Sequence, residues 1–226
     1  MDFSFDPSLV LYLPLYELDG ASFMSKDAYG HLSTVNGASW RPTGRYFDGL
    51  DDYITIPHNT ILDITTGDFT LIVMAKVAAG LNGDVIAGKM KNAGDIGNGG
   101  YSIYVRNTDP YIKFFLTDKT NSVGTTNFPS DIRGDGSFHS LAGVFKSAAD
   151  QILTYLDGVE ADDTTSGAVI GSLTNTTDAF DIGRASNGGV GGSYFTGSVS
   201  EIWLYHRALT PLEIQHNYLA TKWRYR

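Results

Sequence analysis

Tyr194-Phe-Thr-Gly-Ser-Val-Ser-Glu-Ile-Trp-Leu-Tyr-His-Arg-Ala-Leu-Thr-Pro-Leu-Glu-Ile-Gln-His-Asn-Tyr-Leu219 joins an alternating strand to a capped helix with almost nothing between them. Period-two alternation sets Val199, Glu201, Trp203 and Tyr205 on one face, and Ser200, Ile202, Leu204 and His206 on the other. Thr210 stands at an N-cap position, Pro211 at the first helical position and Glu213 three residues after the cap. That spacing is a capping box, so a short helix is expected to follow the strand at once.

Upstream, strand-like runs recur between turn signals: 9–16, 46–48, 53–56, 69–77, 84–89, 101–106, 111–117, 139–146, 151–156, 179–183 and 197–206. Asn36-Gly37, Asp48-Gly49, Asn82-Gly83, Asp135-Gly136 and Asp157-Gly158 supply the turns. No linker, repeat or charge block divides the 226 residues, so residues 1–226 are read as one domain. With 26 glycines, 12% aromatics and a helix expected only at the end, the pattern implies two packed antiparallel sheets.

A formal charge of −9 argues against nucleic acid, whose phosphates need a basic face. Glutamate occurs only at Glu17, Glu160, Glu201 and Glu213, so aspartate dominates the acidic residues, fitting turn duty first and hard cations second. No apolar run approaches the ~18 residues of a membrane span. The first residues lack a basic leader, and no cysteine is present. A protein folded in the cytosol and released by lysis, as a phage or virus particle component is, fits those features, and so does a cytosolic protein.

Several segments then resemble one family in the correct order. Leu11-Tyr-Leu-Pro-Leu-Tyr16 with Asp27-Ala-Tyr-Gly-His31 is similar to its first strand and D-x-S-G-N loop. Arg45-Tyr-Phe-Asp-Gly-Leu-Asp-Asp-Tyr-Ile54 is similar to its F-D-G-x-D-D-Y-V strand pair, and Ser137-Phe-His-Ser-Leu-Ala142 to W-H-H-V-A, with Phe138 in place of Trp. Gln151-Ile-Leu-Thr-Tyr-Leu-Asp-Gly158 resembles L-x-L-Y-V-D-G, and Phe180-Asp-Ile-Gly-Arg184 resembles the I-G-R strand. The chain thus resembles the concanavalin A-like, laminin G-type modules. The resemblance implies an all-β jelly-roll sandwich of two antiparallel sheets with a short C-terminal helix.

Catalytic signatures are missing. Glycosidases on this fold pair two carboxylates on one strand, and no E-x-D-x-x-E occurs. Nor is there G-x-S-x-G or H-E-x-x-H, and the five histidines are scattered. A divergent glycan hydrolase or lyase is the least favoured class. Asn92–Gly100 and Ser186–Ser193 are glycine-rich but do not join a strand to a helix N-terminus, so no phosphate cradle is expected. They are read as rim loops, either plain connections or the place where Tyr101, Arg184, Asn187 and Tyr194 meet a sugar. Trp40 is either a sugar platform or a hydrophobic plug. Trp203 is read as core or sheet surface, and Trp223, in the basic tail Lys222-Trp-Arg-Tyr-Arg226, as packing or a partner anchor.

The resemblance also implies a structural Ca²⁺, held by Asp27, a loop carbonyl such as that of Gly30, and Glu201. Tyr29 and His31 depart from the family's Ser and Asn there. In the competing reading Asp27 closes a turn and Glu201 pairs with an arginine such as Arg207 or Arg45. Asp51-Asp52 is a second, weaker cation candidate. The expected function is a non-catalytic binding module for a glycan or cell-surface polysaccharide. A structural protein with protein assembly partners is the alternative.

Overall fold

The computed structural model describes residues 6–79, 85–91, 99–105, 112–118, 123–128, 132–165, 170–174, 177–185 and 194–225. Two eight-stranded antiparallel sheets face each other. The first runs β14 (Val159–Thr165), β13 (Gln151–Leu156), β12 (His139–Lys146), β7 (Phe69–Val77), β16 (Thr196–Tyr205), β5 (Gly44–Asp48) and β4 (Ser39–Arg41), with β1 (Leu9–Pro14) also on β16. The second runs β11 (Val123–Asn127), β10 (Ile112–Thr117), β9 (Gly100–Val105), β8 (Val85–Met90), β15 (Phe180–Ile182), β6 (Tyr53–Ile56), β3 (Leu32–Asn36) and β2 (Ser22–Met24). This is the expected jelly-roll sandwich.

Side chains from both inner faces make one core, with Phe47, Phe69, Tyr101, Phe114, Phe145, Phe180 and Phe195 among its largest members. A second apolar cluster lies on the outer face of the first sheet, around Met74, Val144, Leu153, Trp203 and Tyr205. The C-terminal helix α1 (Pro211–Thr221) covers it through Ile214 and Tyr218. Its start is the expected capping box: the Thr210 hydroxyl accepts from Glu213 N, and the Glu213 carboxylate accepts from Thr210 N.

The strands at 53–56, 69–77, 139–146 and 151–156 have the expected bounds. The sequence reading left out β2, β3, β4, β11 and β14. β2 and β4 are short, largely exposed and at sheet edges, so they lack the alternation that burial of one face imposes.

One expectation about β16 is corrected. Its pairing with β7 shifts register between Val199 and Glu201, a bulge centred on Ser200. The extra residue flips the alternation, so Val199 points into the main core with Ile202 and Leu204 instead of sharing the face of Trp203. Gly44 (φ +134°) sits against the bulge, where a Cβ would stand 2.3 Å from Val199 O and 2.7 Å from Ser200 Cα. On one side of β16, β5 pairs with Thr196–Val199 and β1 with Glu201–Tyr205, so the bulge is the junction where β1 ends and β5 begins.

Candidate functional site

The bulge turns two consecutive side chains, Ser200 and Glu201, to the outer face, and the tail after α1 folds back onto them. Tyr225 Oη accepts from Ser200 Oγ (2.7 Å) and donates to Glu201 Oε1 (2.5 Å). Arg224 Nη1 donates to the same oxygen at 2.8 Å, and Tyr12 Oη reaches Oε2 at 3.4 Å. Tyr12 is held flat against Trp203, the ring centroids 5.6 Å apart, and its hydroxyl shares a hydrogen bond with Tyr16.

Glu201 is completely buried. Burial pushes its carboxyl above the ordinary carboxylate range, and the bonds from Tyr225 and Arg224 oppose that push. Burial, then the Glu201 charge, pushes the Tyr16 hydroxyl up to about 12. Burial works against the Arg224 charge, but Glu201 together with Tyr16, Tyr225 and Tyr12 more than offsets it and holds the guanidinium above its ordinary value. The pair that forms is with neither arginine named from the sequence. Arg207 binds Asp6 and Glu213, while Arg45 donates to the carbonyls of Leu18, Ala38 and Gly20.

Above this buried network lies a partly exposed aromatic surface. The Arg224 guanidinium carbon stands 4.7 Å from the Tyr16 ring centroid and 5.1 Å from that of Trp223. Trp223 is 65% exposed and Trp40, on edge strand β4, is 40% exposed. Trp40 Nε1 donates to Tyr16 O at 3.1 Å, which ties β4 to the turn after β1. Tyr16 and Arg224 were not singled out from the sequence; the one available signal was the basic, aromatic tail itself.

Asp27 and Glu201, the side chains expected to hold calcium, both accept hydrogen bonds from the protein. Both Asp27 oxygens accept backbone N–H groups: Oδ1 from Tyr29 (2.9 Å) and Gly30 (3.1 Å), Oδ2 from Tyr12 (2.9 Å). Gly30 gives its N–H to Asp27, and Glu201 accepts from the Arg224 guanidinium. Ca²⁺ needs about six to eight oxygens turned to one point. Among the described residues, the acids that do converge are Asp48, Asp51 and Asp52, at the turn after β5, within 4.8 Å of one another. Asp48 and Asp51 are exposed and Asp52 is buried, accepting from Asp48 N at 2.9 Å.

The expected rim residues scatter. Tyr101 is corrected to a core residue: it is fully buried, 5.1 Å from the Phe69 ring, and its hydroxyl donates to Leu62 O at 2.7 Å. Its position on the inner face of β9 decides this. Arg184 is engaged, its Nε 3.0 Å from Asp181 Oδ2 and its guanidinium 3.2 Å over the Tyr53 ring. Tyr194 is half-buried just before β16, and Asn187 lies outside the described residues. Two cavities, of about 200 Å³ beside Asp63 and His206 and about 180 Å³ beside His31 and His58, are below the ~300 Å³ of typical ligand pockets. No helix is long and apolar enough to cross a membrane, among the described residues.

Residues 47–215 match the family model of the concanavalin A-like lectin/glucanase superfamily. No curated protein sequence matches. Similar solved structures include the binding domain of Paraclostridial Mosquitocidal Protein 1, at TM-score 0.70 and 13% identity over 94% of this chain and 52% of that one. The botulinum neurotoxin serotype D ligand-binding domain in complex with N-acetylneuraminic acid aligns at TM-score 0.72 and 11% identity, over 95% of this chain and 51% of that one. The binding domain of botulinum neurotoxin DC in complex with rat synaptotagmin II aligns at TM-score 0.69 and 16% identity, over 94% and 51%. At these identities the likeness establishes the fold alone, and the chain spans about half the length of each.

Proposed function

The chain belongs to the concanavalin A-like lectin/glucanase superfamily, and from that premise we propose that it is a non-catalytic module that binds carbohydrate at the Trp40–Tyr16–Trp223 surface. The observation that carries this reading is an exposed aromatic surface backed by a fixed polar network. Sugar rings present apolar C–H faces that pack on aromatic rings, with hydroxyls that need donors and acceptors at the rim. Trp40 and Trp223 supply the faces. Tyr16 and Arg224 supply the polar edge, pre-organised by Tyr12, Tyr225 and the buried Glu201. A pre-ordered surface loses little side-chain freedom when a ligand lands. The sialic acid and synaptotagmin complexes of the neighbours support a recognition role in general, not this ligand or this surface.

A catalytic role finds no support in the same geometry. Glu201 has no solvent-exposed surface, so no glycosidic bond could reach it. Titration of tryptophan fluorescence with a panel of neutral and acidic oligosaccharides tests the proposal. A saturable change lost in both Trp40→Ala and Trp223→Ala supports it. No change with any sugar, or one indifferent to both substitutions, overturns it.

A second reading has its own observation. Leu212 and Leu219, two turns apart on α1, are 77% and 49% exposed, and Trp223 continues their line. An apolar stripe on a helix suits a protein partner. Sedimentation of wild type against Leu212→Glu/Leu219→Glu separates the readings, since self-assembly through α1 would be lost while sugar binding persisted.

A further inference from the structure

Resting on that reading of the aromatic surface, we infer that its ligand is an acidic sugar, whose carboxylate is held by the Arg224 guanidinium. The chain carries −9, so an anionic ligand is repelled by most of its surface and needs a local cation to be bound at all. Two cations stand where these aromatics are: Lys222 and Arg224 flank Trp223, and the Lys222 ammonium lies 5.3 Å from the Tyr218 ring centroid.

Arg224 is built for the task. Its side chain is 27% exposed, and one of its N–H donors is spent on Glu201 Oε1. A guanidinium has five donors in a planar fork that matches a carboxylate. Its guanidinium lies between the Tyr16 and Trp223 rings, which limits where that fork can point. Glu201 neutralises the buried end of the charge without reaching solvent, which leaves the outer donors for a ligand. A neutral sugar would gain no ion pair from this arrangement. A uronate or sialate gains a charge-assisted pair beside the ring-stacking surface.

The test compares 3′-sialyllactose and hexagalacturonate with their methyl esters and with lactose, by tryptophan fluorescence and calorimetry on the unmodified protein. Esterification removes the charge and keeps the ring. The expected result is at least about tenfold tighter binding of the acids, the range of one exposed charge-assisted pair. Arg224→Gln should abolish that preference, acid and ester then binding with equal affinity whatever its absolute value, and Arg224→Lys should keep part of it. Equal affinity for acid and ester overturns this inference and leaves the carbohydrate reading standing. Binding of neither overturns both. A preference undiminished in folded Arg224→Gln, verified by near-ultraviolet circular dichroism, assigns the charge to another residue and also overturns it. Because the ester comparison needs no variant, it decides even where substitution of Arg224 disturbs folding.

Discussion

Arg224 Nη1 lies 2.8 Å from Glu201 Oε1, and only the arginine side of the pair reaches solvent, with side-chain exposures of 27% and 0%. The last turn of the chain is therefore held to the middle of its longest strand by a half-buried ion pair. Removing one partner leaves the other uncompensated in a desolvated place. Arg224→Ala is expected to cost about 3 kcal/mol in urea unfolding, and Glu201→Gln less, since the amide keeps Tyr225 as a partner. Stability within about 0.5 kcal/mol of wild type for Arg224→Ala would show that the tail is not anchored there.

His139 at the start of β12 is gripped by two carboxylates, Nδ1 to Asp157 Oδ2 and Nε2 to Asp135 Oδ2, each 2.8 Å. The bond to Asp157, opposed by burial and helped by Asp135, raises it from 6.5 to about 8. A raised folded value means the stabilisation is complete below 6.5 and is lost as the pH rises through about 8. Stability is expected to fall by at most about 2 kcal/mol across that interval, less the screening that the 40% exposed Asp135 side chain permits. Denaturant melts of wild type and His139→Gln between about pH 6 and pH 9 read it, and equal slopes would rule the clamp out.

At the other extreme, Glu213 is held down to about 2, first by its bonds to Arg207, against a free value of 4.5. Its contribution is present above 4.5 and lost as pH falls through about 2. Arg207→Gln should move the acid-unfolding midpoint upward, read by circular dichroism on acid titration. An unchanged midpoint would mean the pair adds nothing beyond solvent-screened charge.

Asp27 serves three backbone N–H groups, that of Tyr12 standing 15 residues away along the chain. Asp27→Ala is expected to destabilise by about 2–3 kcal/mol, by the same amount in EDTA and in calcium. A loss that appears only in calcium would show that Asp27 binds the ion, the metal role expected from the resemblance.

Gly44 tests the strand junction. With φ at +134° and no room for a Cβ against Val199 O, Gly44→Ala is expected to cost about 2–3 kcal/mol and to broaden the β1–β16 amide resonances. Unchanged thermal stability would show that the bulge adapts freely.

The sandwich, the capping box and the inward runs at 69–77 and 139–146 were legible because each is a local pattern with one physical solution. Alternation buries one face of a strand, and Thr210, Pro211 and Glu213 satisfy a helix N-terminus within four residues. The same local logic misplaced Val199, since a bulge changes no residue type and leaves no mark on the pattern. It placed Tyr101 at a rim because strand sequence gives alternation without saying which face is inside.

The partners of Glu201 were beyond its reach for a related reason. Arg224 and Tyr225 are 23 and 24 residues away, and Tyr12 is 189 away; their meeting is set by where α1 returns over the outer sheet face. Sequence by itself determined the fold and the helix that ends it, because hydrophobic periodicity and end-capping act between near neighbours. Tertiary structure alone decided that Trp40, Tyr16, Arg224 and Trp223 form one surface. Side chains so distant along the chain are brought together only by the packing of the helix on the sheet.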